Sequence, residues 1–309
     1  MTALRARLAR PLIAGAAAAG LLAGGLALAG AAPDGTAAAS PSVTAAPGTG
    51  DAPGAGDRGE PVTAVAAQNR ATVYPGRIMT WNLYAPGSAE PEDYAKEIAA
   101  YRPQVLGVQE GCRGAVQKTV EILKAKYNLN YNVAYGTALN DRANCGFWGG
   151  NAYGQAILSA APITDQGNRL YPDGGSENRA YMWVTTVLDG KPVRVYDTHL
   201  AEADQSKVRA KQVEHLLKAI GTQQRVIVLG DLNSRPQGPE LAALWNAGLR
   251  DADPACGKVP QAGCHPTADA RPSNKKFDYI LLRGINPPGV TVRDSVHSDH
   301  DIVYTTLDL

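Results

Sequence analysis

Asn82, the pair Gln109 and Glu110, His199, and the pair Asp231 and Asn233 each close an apolar run: IMTW, VLGV, VRVYDT and VIVLG. Two further groups stand late in the chain, where Asp278 opens DYILL and Asp299 with His300 precedes IVYTTL. Carboxylates and amides without cysteine suit a hard cation such as Mg²⁺, which keeps several waters and takes one or two carboxylates alongside substrate phosphate. Glu110 fits that metal role. Two imidazoles near carboxylates can move protons or stabilise developing negative charge, and Asn amides can donate to phosphoryl oxygens. The set points to phosphate-ester hydrolysis.

Such residues act together only if their strands end at one edge of a sandwich, where the backbone holds them rigidly. Strand-like runs are read at 77–83, 104–110, 131–135, 155–159, 180–188 and 193–199, then in RVIVLGDLN, FDYILLR and DIVYTTLDL. RVIVLGDLN opens almost without a polar break, the mark of a strand buried on both faces. Helices are expected over Pro91–Tyr101, with Ser88 as cap and Pro103 beyond the end, and over Ala115–Lys126. A third, Asp204–Ile220, places Val208, Val213, Leu216, Leu217 and Ile220 near helical spacing, and a fourth lies near Pro239–Asn246. This order predicts an α/β (α+β) sandwich, helices outside packed sheets, in one domain of roughly 240 residues. Trp81 and Trp183 read as core, and His215 and His297 as surface or packing residues.

The strings MTWNL, VQE, YDTHL, GDLN, FDYI and SDHDIV, in this order between Arg77 and Tyr304, resemble the endonuclease/exonuclease/phosphatase superfamily, whose members resemble DNase I. Each string alone is weak, and it is six in order that carry the resemblance. It implies a DNase I-like fold of two packed mixed β-sheets flanked by helices, in a secreted, bacterial-type member. It also implies roles: Asn82 contacts the phosphate or its metal shell, and Glu110 is the principal Mg²⁺ ligand, with Mn²⁺ or Ca²⁺ as alternatives. Asp231 orients or deprotonates the attacking water, Asn233 holds the phosphate, and Asp299 assists metal or water binding. His300 acts on the scissile phosphate while Asp278 accepts its hydrogen bond, fixing its tautomer and favouring its charged form. His199 corresponds to the histidine near the leaving group, and Arg179 to a phosphate contact. One departure stands out. DNase-like members carry an acidic partner for that first histidine near the strand that here reads YGQAILS, where Gly154, Gln155 and Ala156 stand instead. Taken singly, Asn82 and Asn233 would read as Asx-turn residues and Asp278 or Asp299 as solvated turn carboxylates.

The 309-residue chain has 44% hydrophobic and 19% charged residues, which excludes a wholly disordered or fibrous protein. Arg5, Arg7 and Arg10 precede an apolar run from Leu12 to Ala32 with small residues suited to cleavage, so 1–31 reads as a secretory signal, an uncleaved anchor helix being the alternative. Residues 32–71, rich in Ala, Pro and Gly, read as a flexible linker too poor in large apolar side chains to offset ordering entropy, and 72–309 as the catalytic domain. Loss of the signal would leave 27 basic and 29 acidic residues, a net charge of −2, so gross attraction to a polyanion is not expected. A local rim of Arg113, Arg142, Arg179, Lys275 and Lys276 remains available. Four cysteines in an exported chain suggest two disulfides with three connectivities; Cys112–Cys145 and Cys256–Cys264 are preferred over a zinc site, because neither pair has C-x-x-C spacing.

Three functions compete on these grounds. The first is a secreted, monomeric Mg²⁺-dependent nuclease with nucleic acid as substrate. The second puts a phospholipid head group, as in a sphingomyelinase-like enzyme, or a small phosphoester in the same site. The third is a non-catalytic binding module on the same fold. The loop from Asn140 to Gly154, with Phe147 and Trp148, could stack on a base, enter a lipid surface or merely cover a sheet edge. Once the signal is cleaved, no stable membrane span is expected.

Overall fold

The computed structural model describes residues 73–84, 89–141, 145–146, 152–202, 204–259, 261–268 and 275–309. The apolar runs singled out above become the strands that carry the polar groups. β1 (Arg77–Asn82) and β2 (Val105–Cys112) pair in parallel, with helix α1 (Pro91–Tyr101) as the crossover between them. α2 (Arg113–Tyr127) follows, then β3 (Asn132–Asn140), β4 (Ala152–Ser159), β5 (Asp165–Leu170) and β6 (Ala180–Leu188). A second parallel pair, β7 (Lys191–His199) and β8 (Val226–Asp231), is joined by α3 (Ser206–Ile220). A 3₁₀ turn at Pro239–Leu241 runs into α4 (Ala242–Asn246), and β9 (Arg250–Asp251), β10 (Asp278–Arg283), β11 (Thr291–Arg293) and β12 (Ile302–Thr306) complete the order.

Two six-stranded sheets result, ordered β11-β12-β1-β2-β4-β3 and β5-β6-β7-β8-β10-β9. Each mixes one parallel pair with antiparallel neighbours, as the sandwich reading requires. Ile78, Val105, Ile157, Val195, Ile227 and Ile280 form one apolar layer drawn from both sheets. The opposite residues of β1 and β2, among them Met79, Trp81, Leu106 and Val108, pack with Tyr94 and Ile98 of α1 and Leu123 of α2. Val226, Val228, Tyr279 and Leu281 do the same with Val213, Leu216 and Ile220 of α3. Alternation along each strand thus feeds two layers, and β8 is buried along its whole length.

Several local expectations are corrected. The cap of α1 is Glu90, whose N–H donates to Asp93 Oδ2 at 3.0 Å, and Ser88 lies outside the described residues. On α3 the buried face includes Arg209 and Gln212, while Val208 is only half-buried. Trp81 is fully buried as expected, but Trp183 is half-buried against the outer layer of the second sheet. β5, β9 and β11 were not legible: β5 reads DQGNRL and is largely exposed, and the others span two and three residues. Such segments have no buried face to impose a period of two.

Both preferred disulfides form, Cys112–Cys145 and Cys256–Cys264. The expected signal and linker lie outside the described residues, as do Arg142, Phe147 and Trp148. Among the described residues, no helix is long and apolar enough to cross a membrane.

Candidate active site

The strand registers bring the polar ends together. Asn82 at the end of β1 is opposite Gln109 of β2, while His199 at the end of β7 is opposite Asp231 at the end of β8. Asp231 is also opposite Asp278 at the start of antiparallel β10. Gly230 precedes Asp231 with φ +150°, and a Cβ there would lie 2.0 Å from the Thr198 carbonyl oxygen, so only glycine permits this close approach of β7 and β8.

Asn82 is the hub. Its Nδ2 donates to Glu110 Oε1 and to Asp231 Oδ2, both at 3.0 Å, and its Oδ1 accepts the Tyr84 N–H at 2.9 Å. The turn role and the site role of this residue therefore coexist. Glu110 reaches Asn82 because β2 is irregular between Val108 and Gly111 and Glu110 adopts φ +56°. A left-handed non-glycine residue at a bulge re-aims its side chain, a form of strain that collects at functional sites. Gln109, by contrast, is fully buried and donates to Asp197 Oδ1 at 2.6 Å, away from the cluster.

Asn233, at φ +47°, donates its own N–H to Asp231 Oδ1 at 2.8 Å, so an Asx turn rather than strand periodicity sets their spacing. Asp231 Oδ2 lies 3.4 Å from His199 Nε2 and 3.6 Å from His300 Nε2. Burial pushes the Asp231 carboxyl up to about 7, with Asp278 adding to the shift and His300 opposing it. Glu110 is likewise raised by burial, against the hydrogen bond from Asn82.

The two histidines differ. His300 Nδ1 meets Asp278 Oδ2 at 2.8 Å, the pairing expected from the sequence. Burial alone would lower the His300 pKa, but the charges of Asp278 and Asp231 hold it well above the ordinary value, which favours the cationic ring. His199 is lowered well below that value by burial, then by Arg179 and His300, and the ring is neutral. On the strand where the sequence lacks an acidic partner, Gln155 donates to the Ala180 carbonyl at 2.6 Å. His199 Nδ1 instead faces Arg179 Nη1 at 3.1 Å. A guanidinium only donates, so Nδ1 accepts and the ring proton resides on Nε2. Nε2 and Asn233 Nδ2 then meet as two donors 3.0 Å apart, an arrangement suited to a shared acceptor oxygen. Arg179 is nearly buried and also pairs with Glu177 at 3.1 Å.

Asp299 is exposed, and its charge acts on both Glu110 and His300. Tyr153, unmarked in the sequence, has its hydroxyl pKa raised by burial and by the neighbouring Glu110 charge. A lone Tyr in a strand gives no signal of that kind. The basic rim shrinks: Arg179 is internal, and Lys276 is buried 3.2 Å from Asp251, whereas Arg113 is exposed and Lys275 half-buried. A cleft of about 510 Å³ adjoins Asn233, lined by Ser234, Arg235, Gln237, Lys275 and Phe277.

Glu110, His199 and Asp231 each offer a ligand atom within 4.8 Å of the others, and so do Asp231, Asp278 and His300. Desolvated carboxylates dominate both groups, which fits a hard divalent cation rather than zinc or a soft metal. With His199 Nδ1 facing Arg179 and His300 Nδ1 bound to Asp278, the carboxylates are the groups free to bind a cation, while the amides and imidazoles can donate to an anion and Asp231 can carry a proton.

The model of the Endonuclease/Exonuclease/phosphatase family matches residues 79–300. No curated protein matches the sequence. Among solved structures, TDP2 of D. rerio complexed with single strand DNA product is 22% identical, with TM-score 0.57 over 76% of this chain and 100% of that one. An endonuclease/exonuclease/phosphatase family protein from Leptotrichia buccalis is 15% identical, with TM-score 0.58 over 75% of this chain and 99% of that one. The mannosyl-6-phosphatase of Bacteroides thetaiotaomicron is 14% identical, with TM-score 0.54 and coverages of 75% and 99%.

Proposed function

The chain belongs to the endonuclease/exonuclease/phosphatase family of metal-dependent phosphoester hydrolases, and on that premise we propose that it is an exported Mg²⁺-dependent phosphodiesterase cleaving nucleic acid by in-line attack of water. The observation that carries this reading is the convergence on Asn82 Nδ2 of Glu110 and Asp231, each at 3.0 Å, with the His300–Asp278 pair alongside.

Glu110 would hold the cation with help from Asp299, and the bound Mg²⁺ would stabilise charge on the phosphoryl oxygens. Asp231 Oδ1 is committed to the Asn233 N–H, so Oδ2 orients the attacking water and takes its proton. His300, cationic and fixed through Nδ1, presents Nε2–H to the phosphate. His199 Nε2–H and Asn233 Nδ2 share a phosphoryl oxygen, with Arg179 adding positive charge behind them. A neutral His199 acts there as a hydrogen-bond donor rather than as a proton source. As the water oxygen bonds to phosphorus the bond to the leaving oxygen breaks on the opposite side, and that oxygen takes a proton from solvent, with no covalent intermediate.

Nucleic acid is favoured by the cleft beside Asn233, where Arg235, Lys275 and Phe277 offer charge and an aromatic ring to nucleotides flanking the scissile phosphate. The D. rerio TDP2 of the same fold was solved with a DNA product. Two disulfides suit an exported chain. The test is a parallel assay of supercoiled plasmid, RNA, sphingomyelin vesicles and sugar phosphates with Mg²⁺ and with chelator. Nicking of plasmid that needs Mg²⁺ is expected. Activity confined to sphingomyelin or to phosphomonoesters would overturn the substrate assignment.

A further inference from the structure

Thr267 is fully buried in the segment between β9 and β10. Its Oγ1 accepts the N–H groups of Phe277 and Asp278 at 3.0 and 2.9 Å, which occupies both lone pairs. The hydroxyl proton therefore has one destination, Asp278 Oδ2 at 2.7 Å. That same oxygen accepts His300 Nδ1 at 2.8 Å, while Asp278 Oδ1 is buried with no hydrogen-bond partner among the described residues. The backbone of the same residue reaches the other side of the pair: the Thr267 carbonyl accepts the Asp301 N–H at 2.8 Å, and Ala268 bridges His300. One residue thus grips the carboxylate, the strand start that carries it and the segment that carries the imidazole.

We propose that Thr267 is a positioning residue for the hydrolytic site, its hydroxyl locking the Asp278 carboxylate in the rotamer that orients His300. The terminal torsion of an Asp carboxylate is broad. Without the hydroxyl, Asp278 turns, and the ring it holds loses its aim at the phosphate. Thr267 touches no reacting atom and acts through Asp278 alone. The kinetic side of this proposal rests on the phosphoesterase reading above; the spectroscopic side does not.

The test compares Thr267→Val, isosteric but without the hydroxyl, with Thr267→Ser, in the intact protein. Thr267→Val is expected to lower kcat roughly 10- to 100-fold, the usual loss for an outer-shell partner, with KM nearly unchanged. It is also expected to move or broaden the low-field proton resonance of His300 Nδ1–H. Thr267→Ser restores both. If Thr267→Val does not fold, Thr267→Ala carries the same comparison. Unchanged kcat and an unchanged Nδ1–H resonance, or a Ser variant as impaired as Val, would overturn the proposal. A wild-type protein without hydrolytic activity would defeat the functional reading instead, and the resonance would still decide the role of Thr267.

Discussion

Asp231 has one oxygen tied to the Asn233 N–H, and the other faces Asn82, His199 and His300. Because burial raises its pKa to about 7, a cation entering the site near neutrality must displace a proton. Below that pKa, protonation competes with the metal, so Mg²⁺ affinity should strengthen up to roughly tenfold per unit as pH climbs towards about 7, then level off. Titration calorimetry across that range checks it, and an affinity indifferent to pH would show that the Asp231 carboxylate does not face the cation held by Glu110. At His199 the Arg179 contact makes the ring a neutral Nε2–H donor. His199→Gln, which keeps an N–H donor, should retain more activity than His199→Ala, whose kcat should fall by about 10² to 10³. Equal losses in both would contradict the donor role. The sequence made Asn82, Glu110, His199, Asp231, Asn233, Asp278 and His300 legible because the first five follow an apolar run and the last two precede one. Tyr153 and Thr267 stayed hidden because their roles arise from distant partners, as did the inward turn of Lys276 towards Asp251.

Among the elements, β2 and β7 carry a polar pair between the two sheets. Gln109 holds Asp197 Oδ1, and Asp197 Oδ2 is buried with no hydrogen-bond partner among the described residues. Burial raises this carboxyl well above its ordinary range, so the folded state keeps a proton that the unfolded chain releases from about pH 4 upward. Stability must then fall as pH rises through that window, by at most about 1.4 kcal/mol per unit for this one group. Asp197→Asn removes the titration, so its stability relative to wild type should increase with pH in metal-free denaturation curves. Parallel curves for the two proteins would refute the assignment. The long strands and α1 to α3 were readable from periodicity, since each has a face that must be buried. β5 and the left-handed turn at Glu110 were not, since an exposed polar edge and a single bulged residue leave no pattern of apolar positions.

For the molecule as a whole, basic and acidic residues nearly balance, 30 against 29. Of the five basic residues expected around the site, Lys276 is bound internally and Arg179 is buried in the cluster, which leaves a shallow electrostatic footprint. Binding of DNA by a His300→Ala variant should therefore weaken only gently with salt, with a log–log slope of roughly −2 or shallower. Fluorescence anisotropy across a salt series measures this, and a slope several times steeper would show that basic residues outside this rim take part. The disulfides fall close in sequence to site residues, Cys112–Cys145 at the end of β2 two residues past Glu110 and Cys256–Cys264 in the segment leading to Thr267.

The central claim is that this cluster of carboxylates, imidazoles and amides hydrolyses phosphodiesters with a divalent cation. Plasmid cleavage by the wild-type protein and by His300→Ala, measured side by side with Mg²⁺, tests it most directly. The wild type should nick the plasmid, stop on chelation and resume with excess Mg²⁺, while the variant should be slower by about 10³ or more. Equal cleavage by both proteins, or none by the wild type with any divalent cation, would contradict the account.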